Sequence, residues 1–389
     1  MAKMILMNMV TPPPDLAAIS ALQSKLVSAL RPILPEHALL WEPEDTIPYE
    51  CDGLAAYRRM PLAVALPETE EQVAQILKIC YAMQIPVVPR GSGTGLSGGA
   101  MPLSQGLVLS LAKLKKIISI DPFTRTAVVQ PGVRNLAISE AVAHLGLYYA
   151  PDPSSQIACS IGGNVNENSG GVHCLKYGLT LHNVLRIRGI LMNGEIVEFG
   201  GLAPDAPGLD LLAIMMGSEG MLAVVTEVTV KLVAKPKLAR VIMASFDDIE
   251  KGGNAVAAII AAGIIPAGLE MMDKATTRAV EEFVHAGYDL DAAAILLCES
   301  DGTPEEVAEE IERMTKVLEE AGASGIQISK DENERLKFWS GRKNAFPAAG
   351  RLAPDYYCMD GTIPRRHIAT LLKRIQGMEE KYGLGCLNV

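Results

Sequence analysis

The sequence predicts an α+β protein with more than one domain and with an antiparallel sheet in its last part. Its 389 residues are 49% hydrophobic, which is enough to bury more than one core. Short β-rich segments separated by glycine turns occupy residues 106–230, whereas strands and helices alternate after Pro236. This change of pattern predicts three parts, which are an N-terminal helical arm (1–54), a second domain (55–237) and a third domain (238–389).

The first elements are read from apolar spacing and from helix start signals. The arm carries one predicted helix over residues 15–30, which ends before Pro32. Residues 62–66 and 85–88 are apolar runs typical of strands. Between them, Thr69 and Gln72 have the spacing of a capping box at the start of a helix.

The later elements follow the same two periodicities. In the middle of the chain we expect strands at 107–111 and 127–130 and one helix at 136–145. After Pro236 we expect the strands 241–246, 267–272, 294–298, 326–329 and 357–363. The helices between and after them are 249–262, 276–285, 304–320, 333–346 and 366–382. Residues 386–389 look like a strand that begins without room to finish, which predicts a third domain that is truncated at its C-terminal end.

Composition and charge exclude several classes of function. The net charge of -10 disfavours binding to nucleic acid or to anionic lipid and favours small-molecule partners. The longest apolar run, residues 255–269, is interrupted and is shorter than the ~20 residues of a transmembrane helix. No cleavage site follows the first ten residues, which predicts a cytoplasmic protein.

The seven cysteines form no C-x-x-C pair. A disulfide framework and a cysteine-ligated zinc or iron–sulfur site are therefore not expected in this chain. If electrons leave the protein, we expect them to pass to another protein.

Gly93, Gly95 and Gly98 spell G-x-G-x-x-G after an apolar strand, so a nicotinamide-dependent Rossmann enzyme is one alternative. That motif requires a helix at the third glycine, but Gly99, Pro102 and Gly106 follow here. Five glycines and three hydroxyl side chains in residues 91–99 can instead wrap a diphosphate with backbone N–H groups. The sequence therefore favours a loop that binds a diphosphate without a helix.

Four ordered blocks carry a family resemblance. They are PRGSGTGLSGG (89–99), PDPSS (151–155), CSIGGNVNENSGG (159–171) and GSEGMLAVVTE (217–227). Together they resemble the p-cresol methylhydroxylase type of FAD domain, which has two α+β subdomains and is followed by a cap domain. Within that group the chain is most similar to the FAD-binding subunits of glycolate oxidases and D-lactate dehydrogenases.

The resemblance implies one extended FAD groove. The implied cofactor contacts are Arg90, Gly91, Ser92, Gly93, Thr94, Gly95, Leu96, Ser97, Gly98, Gly99, Pro153, Ser154, Ser155, Ser160, Ile161, Gly162, Gly163, Asn164, Gly170, Gly171, Glu219 and Gly220. Relatives that tether FAD often use a histidine in the first block, and this chain has none between Met60 and His144. We therefore expect non-covalent FAD, with Cys159, His173 and Cys174 as the remaining candidates for a tether.

The resemblance also implies the activity, which is oxidation of a small 2-hydroxy acid to the 2-keto acid. It places a substrate-binding arginine at Arg342, where a guanidinium can hold both carboxylate oxygens. It implies that the electrons pass to a separate protein or a quinone-linked acceptor. The implied protein partner is an iron–sulfur or electron-transfer flavoprotein subunit, through which the protein could be held at the membrane periphery.

Relatives continue into histidine-rich segments that bind a divalent metal or act on the substrate hydroxyl. We expect that metal site to be absent here, and no catalytic residue is assigned. The alternative function is accordingly a catalytically silent FAD-binding fragment.

Overall fold

The computed structural model describes residues 16–203, 208–353 and 356–389. It shows an α+β protein, as predicted. The amino-terminal segment, on which the expectation of no export signal depended, and the first residue of the predicted arm helix lie outside the described residues. No helix within the described ranges is long and apolar enough to cross a membrane.

The first sheet is small and mixed, with the order β1-β2-β4-β3, and β4 runs parallel to both of its neighbours. Its elements are β1 (Leu39–Leu40), β2 (Ala63–Ala65), β3 (Val87–Arg90), β4 (Leu107–Ser110), α1 (Leu16–Leu30), α2 (Pro43–Thr46) and α3 (Glu70–Ala82). The capping box of α3 is confirmed, because Thr69 Oγ1 accepts from the Gln72 N–H at 3.2 Å and Gln72 Oε1 accepts from the Thr69 N–H at 3.3 Å.

The second sheet is antiparallel, with the order β5-β6-β10-β8-β9, and a separate two-stranded ladder pairs β7 with β11. The strands are β5 (Ile117–Asp121), β6 (Thr126–Val129), β7 (Leu147–Tyr148), β8 (Val184–Ile190), β9 (Ile196–Gly200), β10 (Val224–Lys231) and β11 (Val233–Ala234). The helices are α4 (Asn135–Val142), α5 (Ile161–Glu167), α6 (Cys174–Tyr177), α7 (Thr180–Asn183) and α8 (Leu211–Met215). The prediction of a single helix in this part was wrong, because four short helices follow α4.

The third sheet is antiparallel, with the order β13-β14-β12-β15. Its strands are β12 (Leu238–Phe246), β13 (Gly268–Asp273), β14 (Ala294–Gly302) and β15 (Gly325–Ile328). Its helices are α9 (Ile249–Ala261), α10 (Lys274–Val284), α11 (Pro304–Glu320), α12 (Glu332–Lys343), α13 (Ala345–Leu352) and α14 (Ile368–Tyr382).

Alternation along these strands divides the third sheet into two apolar faces. Ile295 and Leu297 share one core with Trp339 and with the apolar residues of α10, α12 and α13. Leu296 and Cys298 share the other core with α9, α11 and α14. A period of two residues therefore places α12 and its neighbours on one side of the sheet.

Three predictions in this last part were wrong. The helix predicted at 333–346 is broken at Asn344 into α12 and α13, and residues 357–363 form no strand. Residues 386–389 form no strand either. Instead, the Asn388 N–H donates to Asp273 Oδ2 at 3.1 Å at the end of β13.

Candidate cofactor and substrate site

The glycine loop, residues 91–99, follows β3 and leads through irregular chain to β4 without a helix. This arrangement is unlike the strand and helix of a Rossmann motif. The loop is half-buried except at Ser92 and Ser97, which are exposed. None of its nine backbone N–H groups has an acceptor within the described part of the chain. A half-buried run of free donors is suited to an anion such as a diphosphate.

The loop is packed against two of the other three blocks. A Cβ built at Gly91 would lie 2.2 Å from Ser160 Oγ, and one at Gly99 would lie 2.9 Å from Glu167 Oε1. The backbone at Gly220 has a φ of +72°, and a Cβ there would lie 2.4 Å from Pro89 Cγ. Glycine is therefore required where these segments approach one another.

The second and third blocks are joined through buried amides. Asn164 Nδ2 donates to Asn135 Oδ1 at 2.8 Å, and Asn135 Nδ2 donates to the Pro151 carbonyl at 2.9 Å. A Cβ at Gly171 would lie 2.4 Å from the Asp152 carbonyl carbon. The Gln156 N–H closes the turn after Pro153 by donating to its carbonyl at 2.8 Å.

The structure thus brings all four blocks together. Arg90, at the start of the loop, is fixed by donation from Nη1 to the Cys51 carbonyl at 2.7 Å. Ile161 is fully buried in the second core, so only its backbone can face a ligand.

Buried polar atoms without partners mark the same region. Among the described residues, the buried side-chain atoms without a hydrogen-bond partner are the Tyr149 hydroxyl, which lies outside the four blocks, and three atoms inside them, Ser160 Oγ, Asn166 Oδ1 and Ser218 Oγ. Such atoms cost roughly 1–3 kcal/mol each when they stay unpaired. All three lie in or beside the third and fourth blocks, so a polar ligand such as FAD would satisfy them. The residues present therefore fit the cofactor that the resemblance implies.

Two carboxyl groups next to the glycine loop, Asp52 and Glu167, were not anticipated as site residues from the sequence. Asp52 is 7% exposed and accepts from the Ala100 N–H at 3.4 Å. Burial, followed by the charges of Glu219 and Asp52, raises the pKa of Glu167. Glu167 lies inside a quoted block, but no spacing in the sequence indicates that it meets Asp52.

The candidate tethers are all engaged in the protein. Cys159 is 4% exposed, and Cys174 Sγ accepts from the Gly171 N–H at 2.8 Å. Burial raises the pKa of Cys174 to about 11, which keeps it a thiol near neutral pH. His173 lies between Asp152 and Glu299, at 2.8 Å and 3.0 Å. These contacts favour the expectation of dissociable FAD.

Arg342 is largely buried on α12 rather than solvated. Its Nε donates to Glu270 Oε2 at 2.7 Å, and the two side chains are 18% and 19% exposed. Its two Nη atoms have no hydrogen-bond partner within the described residues. Glu270 is close enough to Cys174 to contribute to its raised pKa, which places the Arg342 pair near the third block. A guanidinium with one free edge beside this block can receive a carboxylate.

No group of three or more His, Cys, Asp and Glu side chains is arranged to hold a metal ion among residues 16–203, 208–353 and 356–389. All seven cysteines are free.

The comparisons with known proteins match two family models. Residues 61–200 match an FAD binding domain, and residues 235–389 match the C-terminal domain of FAD linked oxidases. The chain is 59% identical to glycolate oxidase subunit GlcD of Escherichia coli strain K12, over 94% of this chain and 74% of that protein. It is 30% identical to D-lactate dehydrogenase of Anaerostipes hadrus, over 91% and 76% of the two chains.

Among solved structures, p-cresol methylhydroxylase superposes with a TM-score of 0.70 at 20% identity, over 82% of this chain and 69% of that one. At this identity the likeness shows the fold, and it confirms the predicted fold class.

Proposed function

The chain belongs to the FAD-linked oxidase family that includes the glycolate oxidase subunit GlcD, and from that membership we propose that it binds FAD non-covalently and oxidises a small 2-hydroxy acid to the 2-keto acid. The observation that carries the proposal is the meeting of four blocks around nine free N–H donors, with Arg342 beside the third block. Residues 55–237 hold the cofactor in this proposal, and residues 238–389 cover it.

The residues of the chain have separable tasks in this reaction. The glycine loop holds the diphosphate, and the hydroxyls of Ser160 and Ser218 complete the polar lining. Arg342 holds the substrate carboxylate with its free Nη edge while Glu270 keeps the guanidinium in place. Bound FAD would supply the acceptor for the hydride and its two electrons.

The electrons must then leave the protein. The related GlcD protein is named as a subunit, which supports a separate acceptor. We propose an iron–sulfur or electron-transfer flavoprotein partner and a cytoplasmic location, at the membrane periphery if that partner is bound there.

The spectrum of the purified protein tests the proposal. We expect flavin absorption, release of the yellow colour on acid precipitation, and anaerobic bleaching by glycolate, D-lactate or D-2-hydroxyglutarate. Colour that stays with the precipitate would contradict non-covalent binding. A flavin that none of these acids bleaches would favour the silent FAD-binding protein.

Arg342→Met tests the substrate site separately. Loss of a charge-assisted pair costs roughly 1.5–3 kcal/mol, so we expect the KM for the acid to rise by at least about tenfold at unchanged FAD occupancy. Arg351→Met is the matched control, because Arg351 lies over the Phe283 ring at 5.5 Å, whereas the ion-pair partner of Glu270 is Arg342. Equal changes of KM in the two variants would contradict the assignment of Arg342 to the substrate site.

A further inference from the structure

Glu299 on β14 is a buried carboxylate that joins two distant parts of the chain. Its side chain is 2% exposed. It accepts from His173 Nε2 at 3.0 Å, from Arg335 Nη1 at 2.8 and 3.0 Å, and from the Trp339 indole N–H. His173 follows the third block, whereas Arg335 and Trp339 lie on α12. We call these three donors, Glu299 and Asp152 the Glu299 cluster.

The cluster requires a charged histidine. His173 Nδ1 lies 2.8 Å from Asp152 Oδ2 while Nε2 lies 3.0 Å from Glu299 Oε1. Carboxylates only accept, so both ring nitrogens must carry a proton. Burial alone lowers the pKa of His173, but its hydrogen bonds to Asp152 and Glu299 raise it to about 10. His173 and Arg335 in turn lower the pKa of Glu299 against the effect of burial.

The geometry connects the cluster to Arg342. Arg335, Trp339 and Arg342 are spaced four and three residues apart, which places them on one face of α12. On the neighbouring strand, Gly268 lies opposite Glu299, and Glu270 comes two residues later on the same face. Glu299 and Glu270 therefore bind the same face of α12, Glu299 through Arg335 and Trp339 and Glu270 through Arg342.

The approach of the third block to α12 is close. A Cβ at Gly268 would lie 2.9 Å from Val172 Cγ1 and 3.1 Å from Trp339 Cζ2. Residues 170–173 and Trp339 thus converge over a glycine that leaves room for both.

We propose that Glu299 is a positioning residue, which fixes the substrate-binding Arg342 relative to the cofactor-lining residues 170–173 by holding α12 and His173 on one carboxylate. This inference rests on the proposed function. Glu299 does not touch the substrate. Its effect is geometric, and a misplacement of about 1 Å in such a site can cost ~10²-fold.

A matched control lies two residues along the same strand. Asp301 is 4% exposed and accepts from Lys176 Nζ at 2.5 Å and from the Tyr177 hydroxyl at 2.7 Å. It joins the same two parts of the protein, and within the described part of the chain its hydrogen-bond and ion-pair partners are Lys176 and Tyr177, neither of which lies on α12. If Glu299 merely held the two parts together, replacing it would therefore have the same effect as replacing Asp301.

The test compares Glu299→Gln with Asp301→Asn in the full chain loaded with FAD. Oxalate carries carboxylates but has no CHOH carbon that the enzyme could oxidise. It is titrated into each protein while the change in flavin absorption is measured. We expect Glu299→Gln to weaken oxalate binding and raise the KM of the substrate by at least about tenfold, with a smaller effect on kcat. Asp301→Asn should leave both nearly unchanged, at equal FAD occupancy.

Trp339 gives a readout without turnover. The chain has two tryptophans, so in a Trp41→Phe background the emission reports Trp339, whose ring lies 6.5 Å from the His173 ring. Glu299→Gln should shift this emission, and Asp301→Asn should not. If Glu299→Gln does not fold, His173→Gln is compared with Lys176→Met in the same way.

The outcomes separate the two proposals. Equal oxalate affinity in the wild type and Glu299→Gln, or equal losses in both variants of a pair, overturns the positioning role alone. A wild type without Arg342-dependent oxalate binding overturns the proposed function and the positioning role with it.

Discussion

Gly95 is the residue of the glycine loop at which a side chain meets little of the protein itself. A Cβ there would have Asp52 Oδ2, at 4.0 Å, as its nearest neighbour, whereas one at Gly91 would collide with Ser160. We therefore expect Gly95→Ala and Gly95→Val to lower FAD affinity progressively while the apoprotein unfolds as before, because the added groups occupy the space of the diphosphate. Flavin fluorescence titration measures the affinity, with Gly377→Ala, which also has open space around it, as the control. Unchanged affinity in both Gly95 variants would exclude the loop as the diphosphate site.

Glu167 predicts a pH dependence of cofactor binding. Its pKa is raised above 4.5 by burial and then by Glu219 and Asp52, and a bound diphosphate raises it further. Protonation therefore favours binding, so FAD affinity should fall as the pH rises from the raised pKa of Glu167 in the free protein through its still higher pKa in the complex. Each tenfold change in affinity corresponds to one pKa unit of difference between the free and bound protein. Glu167→Gln should bind FAD more tightly above that range and lose this pH dependence, whereas Glu71→Gln, on the exposed side of α3, should keep it.

At the scale of elements, two helices begin with the same capping box. Thr69 caps α3 beside the first sheet, and Thr303 caps α11 on the third. Loss of such a cap costs about 1 kcal/mol. Thermal unfolding should show Thr69→Ala and Thr303→Ala each destabilising the chain by roughly this amount, with FAD spectra unchanged. A change in the flavin spectrum of Thr303→Ala would mean that α11 is coupled to the cofactor site in a way its position does not suggest.

These caps also show which elements the sequence could predict. The capping box at Thr69 and the alternating strands of the third sheet depend on residues that are close together in the sequence, and they were found where predicted. Helices α5 to α8 have four to seven residues, too few to show a period, and exist through tertiary packing. The apolar segment 357–363 is not a strand, because a strand needs a partner that the segment itself does not specify.

The site was predictable to a similar degree. Its four blocks were recognisable by their resemblance to a family, but the pairing of His173 with Glu299 spans 126 positions and leaves no local pattern. For the same reason the partner of Arg342, Glu270, was found only in the structure.

At the scale of the whole molecule, two groups of ion pairs attach the third sheet to the part of the chain that carries the third block. Glu299 and Asp301 accept from His173, Lys176 and Tyr177, and both carboxylates are almost fully buried. Breaking one side of such a pair leaves a buried charge and is costly. The position of Arg342 relative to the cofactor blocks therefore depends on the charge state of the Glu299–His173 pair, because Glu299 also holds Arg335 and Trp339 of α12.

His173 sets the pH range over which this attachment holds. Its pKa is about 10 in the folded chain against 6.5 for an ordinary histidine, because its hydrogen bonds to Asp152 and Glu299 outweigh burial. A raised pKa stabilises the folded state fully below 6.5, and this contribution is lost as the pH rises through about 10. Chemical unfolding at a series of pH values should therefore show the wild type losing on the order of a few kcal/mol across this window relative to His173→Gln, which cannot lose that proton. Tyrosines and lysines that titrate near the upper end affect both proteins alike, so the difference between them isolates His173. Parallel pH profiles of the two proteins would mean that folding does not raise the pKa of His173, and the two-carboxylate contact could not then be the attachment described here.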